Sequence, residues 1–149
     1  MKVSREFAAE VNLKIMAEKW NKKRYSPYLD QMTELLMRRY PKDARTNFGA
    51  ARKALNLFFR DTVYNRVFTT AFGLSTSKSH LSQLELPLDS YTIKGLAKSF
   101  PELKREWSGI KYLKPGLSEI FQQKAAQIAA RNGLVRVELD VFYWNIDKF

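Results

Sequence analysis

The chain of 149 residues contains no cysteine. It can therefore form no disulfide, no thiolate zinc site, no cysteine-held iron–sulfur cluster and no cysteine nucleophile. Only one histidine, His80, is present. We therefore expect no metal site, and a histidine-based catalytic triad would depend on His80 alone.

Long apolar runs are also missing, since no stretch approaches the ~20 residues needed to cross a bilayer. Charges are scattered through the first 16 residues, which is unlike a secretory signal. The six glycines are each isolated, so no glycine-rich phosphate loop is present. We expect a protein with no membrane partner and no cofactor, and a cytoplasmic location.

Acidic residues are scarce relative to basic ones, with 15 Asp and Glu against 26 Lys and Arg and a net charge of +11. Such an excess favours a polyanionic partner, most often nucleic acid, because lysine and arginine neutralise phosphates and release counterions. The alternative is a basic protein whose charge only provides solubility.

Apolar spacing near 3.6 residues predicts an all-α fold, a single compact domain over residues 1–149 with about six helices. The predicted helices cover residues 4–20, 27–40, 50–72, 90–99, 115–131 and 134–146. The last segment also alternates as a strand would, but a lone strand has nothing to pair with, so a helix is favoured. Ser26 and Pro27 predict a helix start, and Gly73 and Asn132-Gly133 predict helix ends.

The connections are predicted to be irregular at 101–114 and a mobile, Ser-rich loop at 74–83. The longest helix should bury a broad apolar face that includes Phe58, Phe59, Val67 and Phe68. Its polar residues between Arg60 and Asn65 should pair with neighbouring helices or face water. The tryptophans, Trp20, Trp107 and Trp144, are expected in the core.

One carboxylate stands out, since Asp89 follows Pro87 and Leu88 at the predicted start of a helix. The structural interpretation is an N-cap, whose side chain accepts hydrogen bonds from the first turn. The functional interpretation is a catalytic acid, and a capping aspartate that stays ionised is compatible with both.

Three segments together resemble the helix-hairpin-helix DNA glycosylases. GAARKALNLF (49–58) resembles the family's glycine-containing hairpin and following helix, and LPLDSYTIKGL (86–96) resembles the segment with the catalytic aspartate. LDVFYW (139–144) is similar to a Leu-Asp-x-x-(x)-Trp piece of the last helix. Asn47, Phe48 and Ala51 stand where the hairpin pattern has Leu, Pro and a second Gly.

The resemblance implies that Asp89 stabilises the sugar cation when a base leaves, and that Lys53 is the nucleophile of bifunctional members. It also implies that Gly49 lies in a phosphate-binding turn. The predicted nucleic-acid-binding residues are Gly49, Arg52, Lys94, Trp107 and Lys111, with Trp107 as a base-stacking side chain.

The leading hypothesis is thus a DNA-binding protein, with DNA preferred over RNA, that acts as an N-glycosylase, with or without lyase activity, on a damaged or modified base. Two alternatives remain open. One is a non-catalytic helical nucleic-acid-binding module in which Asp89 is only a cap. The other is a partner-binding accessory subunit.

Overall fold

The structure is a computed structural model that describes residues 2–146, and over this range the chain is all-α with no β-strand. Three short 3₁₀ turns connect some of the helices, at Lys42–Ala44, Ile110–Tyr112 and Arg136–Glu138. The α-helices are α1 (Lys2–Glu10), α2 (Leu13–Asn21), α3 (Tyr25–Arg39), α4 (Phe48–Tyr64), α5 (Arg66–Phe72), α6 (Lys78–Leu81), α7 (Ser90–Ala97), α8 (Glu102–Glu106), α9 (Pro115–Arg131) and α10 (Leu139–Ile146). None of these helices is long and apolar enough to span a bilayer.

The described range holds ten α-helices rather than about six, because asparagines split two of the predicted helices and the predicted connections contain the short helices α6 and α8. Asn12 caps α2 and Asn65 caps α5, each accepting two backbone N–H bonds from the next turn. Because the helix is interrupted at Asn65, the apolar residues of α5 do not continue the buried face of α4. Val67 and Phe68 are consequently 73% and 38% exposed, so their predicted burial is wrong.

Several predicted boundaries are confirmed where the signal is local. Gly73 ends α5 in the left-handed conformation at φ 64°, and α9 runs from Pro115 to Arg131 with Asn132 as its C-cap. The tail is helical from Arg136 to Ile146, as a 3₁₀ turn followed by α10, so the preferred prediction of a helix over a strand is confirmed there.

Other local predictions are wrong. Helix α3 begins at Tyr25, one residue before the predicted cap Ser26, because the buried Tyr25 ring anchors its first turn. The Ser-rich segment contains α6, and the His80 ring bonds to Ser77 Oγ and the Asn21 carbonyl. The 101–114 connection contains the short helix α8.

The buried side chains form two hydrophobic clusters. The first surrounds Trp20 and draws on α1–α4, and the second surrounds Phe121 and draws on α7–α10. Trp107 is half-buried against the second cluster. Trp144 is 52% exposed, so its predicted place in the core is wrong: α10 turns Tyr143 inward instead.

An extended segment, Leu84–Leu88, runs between the clusters. Leu84 belongs to the first cluster, whereas Leu86 and Leu88 belong to the second. The buried Gln122 of α9 holds this segment, since its Oε1 accepts from Leu86 N at 2.9 Å and its Nε2 donates to Leu86 O at 2.8 Å. These two bonds satisfy the backbone of a buried residue that has no helix or sheet partner, and they fix the segment that leads to Asp89.

Candidate functional site

Lys53 and Asp89 meet at the surface between α4 and α7. Lys53 Nζ donates to Asp89 Oδ2 at 3.0 Å, although the two residues are 36 positions apart in the sequence. Their side chains are 29% and 30% exposed, so the pair is accessible to a ligand. The structure therefore brings together the two residues to which the resemblance assigns catalysis.

Asp89 is also the N-cap of α7, as its sequence position predicted. Its Oδ1 accepts from Thr92 N at 2.9 Å, and Thr92 Oγ1 accepts from Asp89 N at 3.0 Å, which completes a capping box. Burial acts to raise the pKa of Asp89, but hydrogen bonds from Thr92 N–H and Lys53 outweigh it and lower the pKa. The carboxylate is therefore fixed in place and ionised at neutral pH.

A second ion pair lies beside the first. Arg60 Nη1 donates to Asp140 Oδ2 at 2.9 Å, and Asp61 Oδ1 accepts from two further guanidinium nitrogens. Lys53 and Arg60 are seven residues, or about two turns, apart on α4 and so lie on the same face. The charges of Asp89 and Lys53 both act on Asp140, which shows that the two pairs are neighbours.

The two carboxylates have environments that move their pKa values in opposite directions. Burial raises the pKa of Asp140, and its ion pair with Arg60 offsets this only in part. The pKa of Asp89 is lowered. Asp140 therefore holds a proton more readily than Asp89 does.

A groove of about 700 Å³ adjoins the Arg60–Asp140 pair. Its apolar side chains come from the 134–142 segment, and Arg60, Tyr64, Glu138, Asp140 and Asn145 add polar groups. This volume is within the usual range for small-ligand sites. By contrast, the described side chains around Lys53, including Leu88 and Leu113, pack closely enough to leave no internal cavity.

Arg52, which was predicted to contact nucleic acid, lies in a buried network. Its guanidinium makes a bidentate pair with Glu85 at 2.9 and 2.8 Å, and Nη1 reaches Thr33 Oγ1 and Asp30. Burial acts to lower the pKa of Arg52, but the Glu85 and Asp30 pairs outweigh it and raise the pKa. These contacts leave Arg52 only 6% exposed and join α4 to α3 and to the Leu84–Leu88 segment.

Gly49 is buried under the 3₁₀ turn at Ile110–Tyr112. A Cβ at this position would collide with the Ile110 carbonyl and lie 3.0 Å from Leu113 Cβ. Because glycine has no side chain, this turn can pack directly on the start of α4. This packing accounts for a glycine at position 49 without any phosphate contact. The α4 cap is Asn47, whose Oδ1 accepts from Ala50 N.

The remaining predicted residues lie on α7, on the 3₁₀ turn at Ile110–Tyr112 and just after α8. Lys94 and Lys111 are exposed. Trp107 packs edge-on against Phe121, and its Nε1 donates to Ser90 Oγ at 3.2 Å, next to Asp89. These contacts hold the Trp107 ring at the border of the site.

Sequence reasoning missed Tyr112 and the Arg60–Asp140 pair. Tyr112 is 62% exposed on the turn that covers Gly49, with Lys111 Nζ 5.9 Å from its ring centre. Little in the sequence indicated the position of Tyr112, because it lies in the 101–114 stretch, where no helical spacing was recognised. Asp140 lies within LDVFYW, so its position was noticed, but nothing local linked it to Arg60, which is 80 residues away.

Among the described residues, no group of three or more His, Asp or Glu side chains is placed to hold a metal ion. Comparison with known proteins finds no matching family model, no matching curated protein and no matching solved structure.

Proposed function

We propose that this protein binds DNA and, as a distant relative of the helix-hairpin-helix glycosylases, removes a damaged or modified base. The observation that carries the proposal is the 3.0 Å contact between Lys53 Nζ and Asp89 Oδ2 on an accessible surface. The net charge of +11 supports a polyanionic partner.

In the proposed reaction, the C1′–N bond of the target nucleotide breaks and its electron pair leaves with the base. Positive charge develops on the sugar, and the ionised Asp89 stabilises it without needing to move, since two elements already hold its carboxylate. The target must first be extruded from the duplex, at a cost of a few kcal/mol of unstacking.

Lyase activity would add a step at Lys53. Its amine must lose a proton before its lone pair can add to C1′. The C1′–O4′ bond then breaks, O4′ takes up the second proton that the nitrogen loses, and the ring-opened sugar is left as a Schiff base. Asp89 Oδ2 is the nearest acceptor for the first proton, since it already receives a hydrogen bond from Lys53 Nζ. In the resting protein Lys53 is engaged in an ion pair with Asp89. This contact is equally consistent with a monofunctional glycosylase, in which water rather than Lys53 is the nucleophile.

A second candidate is a non-catalytic nucleic-acid-binding module. It is favoured by the close packing around Lys53, where the described residues leave no cavity for an extruded base. In this reading Asp89 is the cap of α7, and the exposed Lys94 and Lys111 contact the phosphate backbone.

The test is incubation with duplexes that carry damaged bases or an abasic site, with borohydride present to trap a Schiff base. Alkali cleaves the abasic site that either form of the enzyme leaves, so after alkaline treatment of a damaged-base duplex the enzyme proposal predicts strand cleavage that is lost in Asp89→Asn. Asparagine caps helices as well as aspartate does, so the variant should retain its circular dichroism spectrum and lose only the charge. A complex trapped by borohydride would identify the bifunctional form, in which Lys53→Gln should abolish the trapped complex, whereas Lys14→Gln, at an exposed lysine on α2, should not change it.

Salt dependence separates the two candidates. Tight binding whose log affinity falls steeply with log salt concentration, with no cleavage of any damaged-base duplex even after alkaline treatment, would favour the non-catalytic module. A protein that binds neither DNA nor RNA at low salt would rule out both candidates and leave the accessory-subunit alternative.

A further inference from the structure

A second groove, of about 630 Å³, lies where α6 faces α9 and the 134–136 segment. We refer to it as the Arg136 groove. It contains two basic residues and two serines above a floor of small and aliphatic side chains, and none of the residues that line it is acidic. The lining residues are Lys78, Ser79, Ser82, Ala126, Ala129, Ala130, Leu134, Val135 and Arg136.

Arg136 uses only part of its hydrogen-bonding capacity on the protein. Nε donates to Leu84 O at 2.8 Å, and Nη2 donates to Gln83 O at 3.2 Å. These bonds occupy one edge of a planar group that has five N–H donors. Among the described residues, Nη1 has no acceptor within hydrogen-bond distance, so the other edge is available to a ligand.

This guanidinium also lacks a contacting counter-charge. No carboxylate of the described residues lies within 4.0 Å of it, and Glu85 and Glu119 act on it only from a distance. Burial consequently lowers the pKa of Arg136. A partly buried cation without a paired acid is costly for a fold to maintain, and a bound anion would offset that cost.

Lys78 adds a second positive charge to the groove. It is exposed, and its Nζ donates to the Gly133 carbonyl at 3.4 Å. It forms no ion pair with any described carboxylate. Lys78 and Arg136 therefore line one groove as two cations that share no protein anion.

We propose that the Arg136 groove binds a phosphate group, with the free edge of Arg136 gripping two oxygens and Lys78 acting as a point charge. A planar guanidinium matches phosphate geometry in this bidentate way. The small side chains of Ala126, Ala129 and Ala130 leave room for whatever carries the phosphate. This site is independent of the Lys53–Asp89 pair and does not require the proposed DNA glycosylase activity.

The experiment is a titration with inorganic phosphate at constant ionic strength, with chloride as the reference anion, followed by amide chemical shifts in NMR. Residues 78–82 and 134–136 should shift with phosphate and not with chloride. Ala126→Glu places a carboxylate on the exposed floor of the groove, and it should weaken phosphate binding about tenfold, equivalent to ~1.4 kcal/mol. Ala126→Gln, of the same size and without charge, should bind like the unmodified protein.

Lys78→Ala should weaken binding about fivefold while leaving the thermal midpoint unchanged, since Lys78 is exposed. A DNA duplex that displaces the phosphate would assign the site to the nucleic-acid backbone. Phosphate that a duplex does not displace would assign it to a small phosphorylated ligand. The proposal is overturned if phosphate shifts these amides no more than chloride does, or if Ala126→Glu binds phosphate as well as Ala126→Gln.

Discussion

Gln122→Met is the substitution that tests most directly how the segment before Asp89 is held. Gln122 is fully buried, and its amide makes both bonds to the Leu86 backbone. Methionine has nearly the same length and flexibility, so the change removes hydrogen bonds while largely preserving the packing.

The loss in the free energy of unfolding comes from the two Leu86 backbone groups that lose their hydrogen-bond partners. The N–H and C=O of Leu86 would each remain buried without a partner, and such a group costs about 1–3 kcal/mol. The greater apolar character of methionine offsets part of this sum. We expect a loss of about 3 kcal/mol, a large share of the ~5–15 kcal/mol that stabilises a typical domain.

Urea denaturation followed by circular dichroism measures this loss. With a slope of about 2 kcal/mol per M, the midpoint should fall by roughly 1.5 M. Gln123→Met is the matched control, because Gln123 is exposed and its side chain bonds, among the described residues, to Glu119 alone at 3.3 Å. It should change stability by less than about 0.5 kcal/mol. If the two variants have the same midpoint, the proposed role of the Gln122 amide is refuted.

Three further changes test other parts of the structure. Glu85→Gln should destabilise the protein by about 3 kcal/mol in urea denaturation, because buried Arg52 would then have only the exposed Asp30 as a counter-charge; a loss below about 1 kcal/mol would contradict this. Gly95→Ala should lower the thermal midpoint, since the new methyl group would collide with the Tyr143 ring, at a cost of about 1–3 kcal/mol; an unchanged midpoint would show that the ring moves aside freely. The lowered pKa of Asp89 means that its contribution to stability is present above its unfolded-state value of 3.8 and is lost as the pH falls through its lower folded-state pKa. Urea midpoints measured between about pH 2 and pH 6 should therefore fall less steeply toward acid in Asp89→Asn than in the unmodified protein, and parallel curves would contradict the shift.

The local signals in the sequence predicted local structure well. Asp89 caps α7 because its side chain and Thr92 lie three residues apart, a relation visible in the sequence itself. Pro115 and Asn132 mark the ends of α9 for similar reasons. Asn65 was harder to interpret, since apolar residues continue on both sides of it and only its side-chain bonds to Val67 and Phe68 reveal the break.

The site also depends on contacts between residues that are far apart in the sequence, and these could not be predicted from local patterns. Arg52 is next to Lys53, and both looked like candidates for a phosphate or sugar contact. Successive residues of a helix point about 100° apart, so Lys53 faces Asp89 whereas Arg52 faces the buried Glu85, 33 residues away. The resemblance was the only means by which the sequence linked Lys53 to Asp89. Their roles in catalysis remain predictions.

The extended Leu84–Leu88 segment has a consequence for how the chain unfolds. Within this segment Leu84 packs in the first hydrophobic cluster and Leu86 and Leu88 pack in the second, while Glu85 anchors the buried Arg52 of α4. Disruption of either hydrophobic cluster therefore frees the Leu84–Leu88 segment, which also packs in the other cluster. Such sharing makes the two clusters open as one cooperative unit. Amides on α3 and α9, although they lie in different clusters, should accordingly show similar free energies of hydrogen exchange.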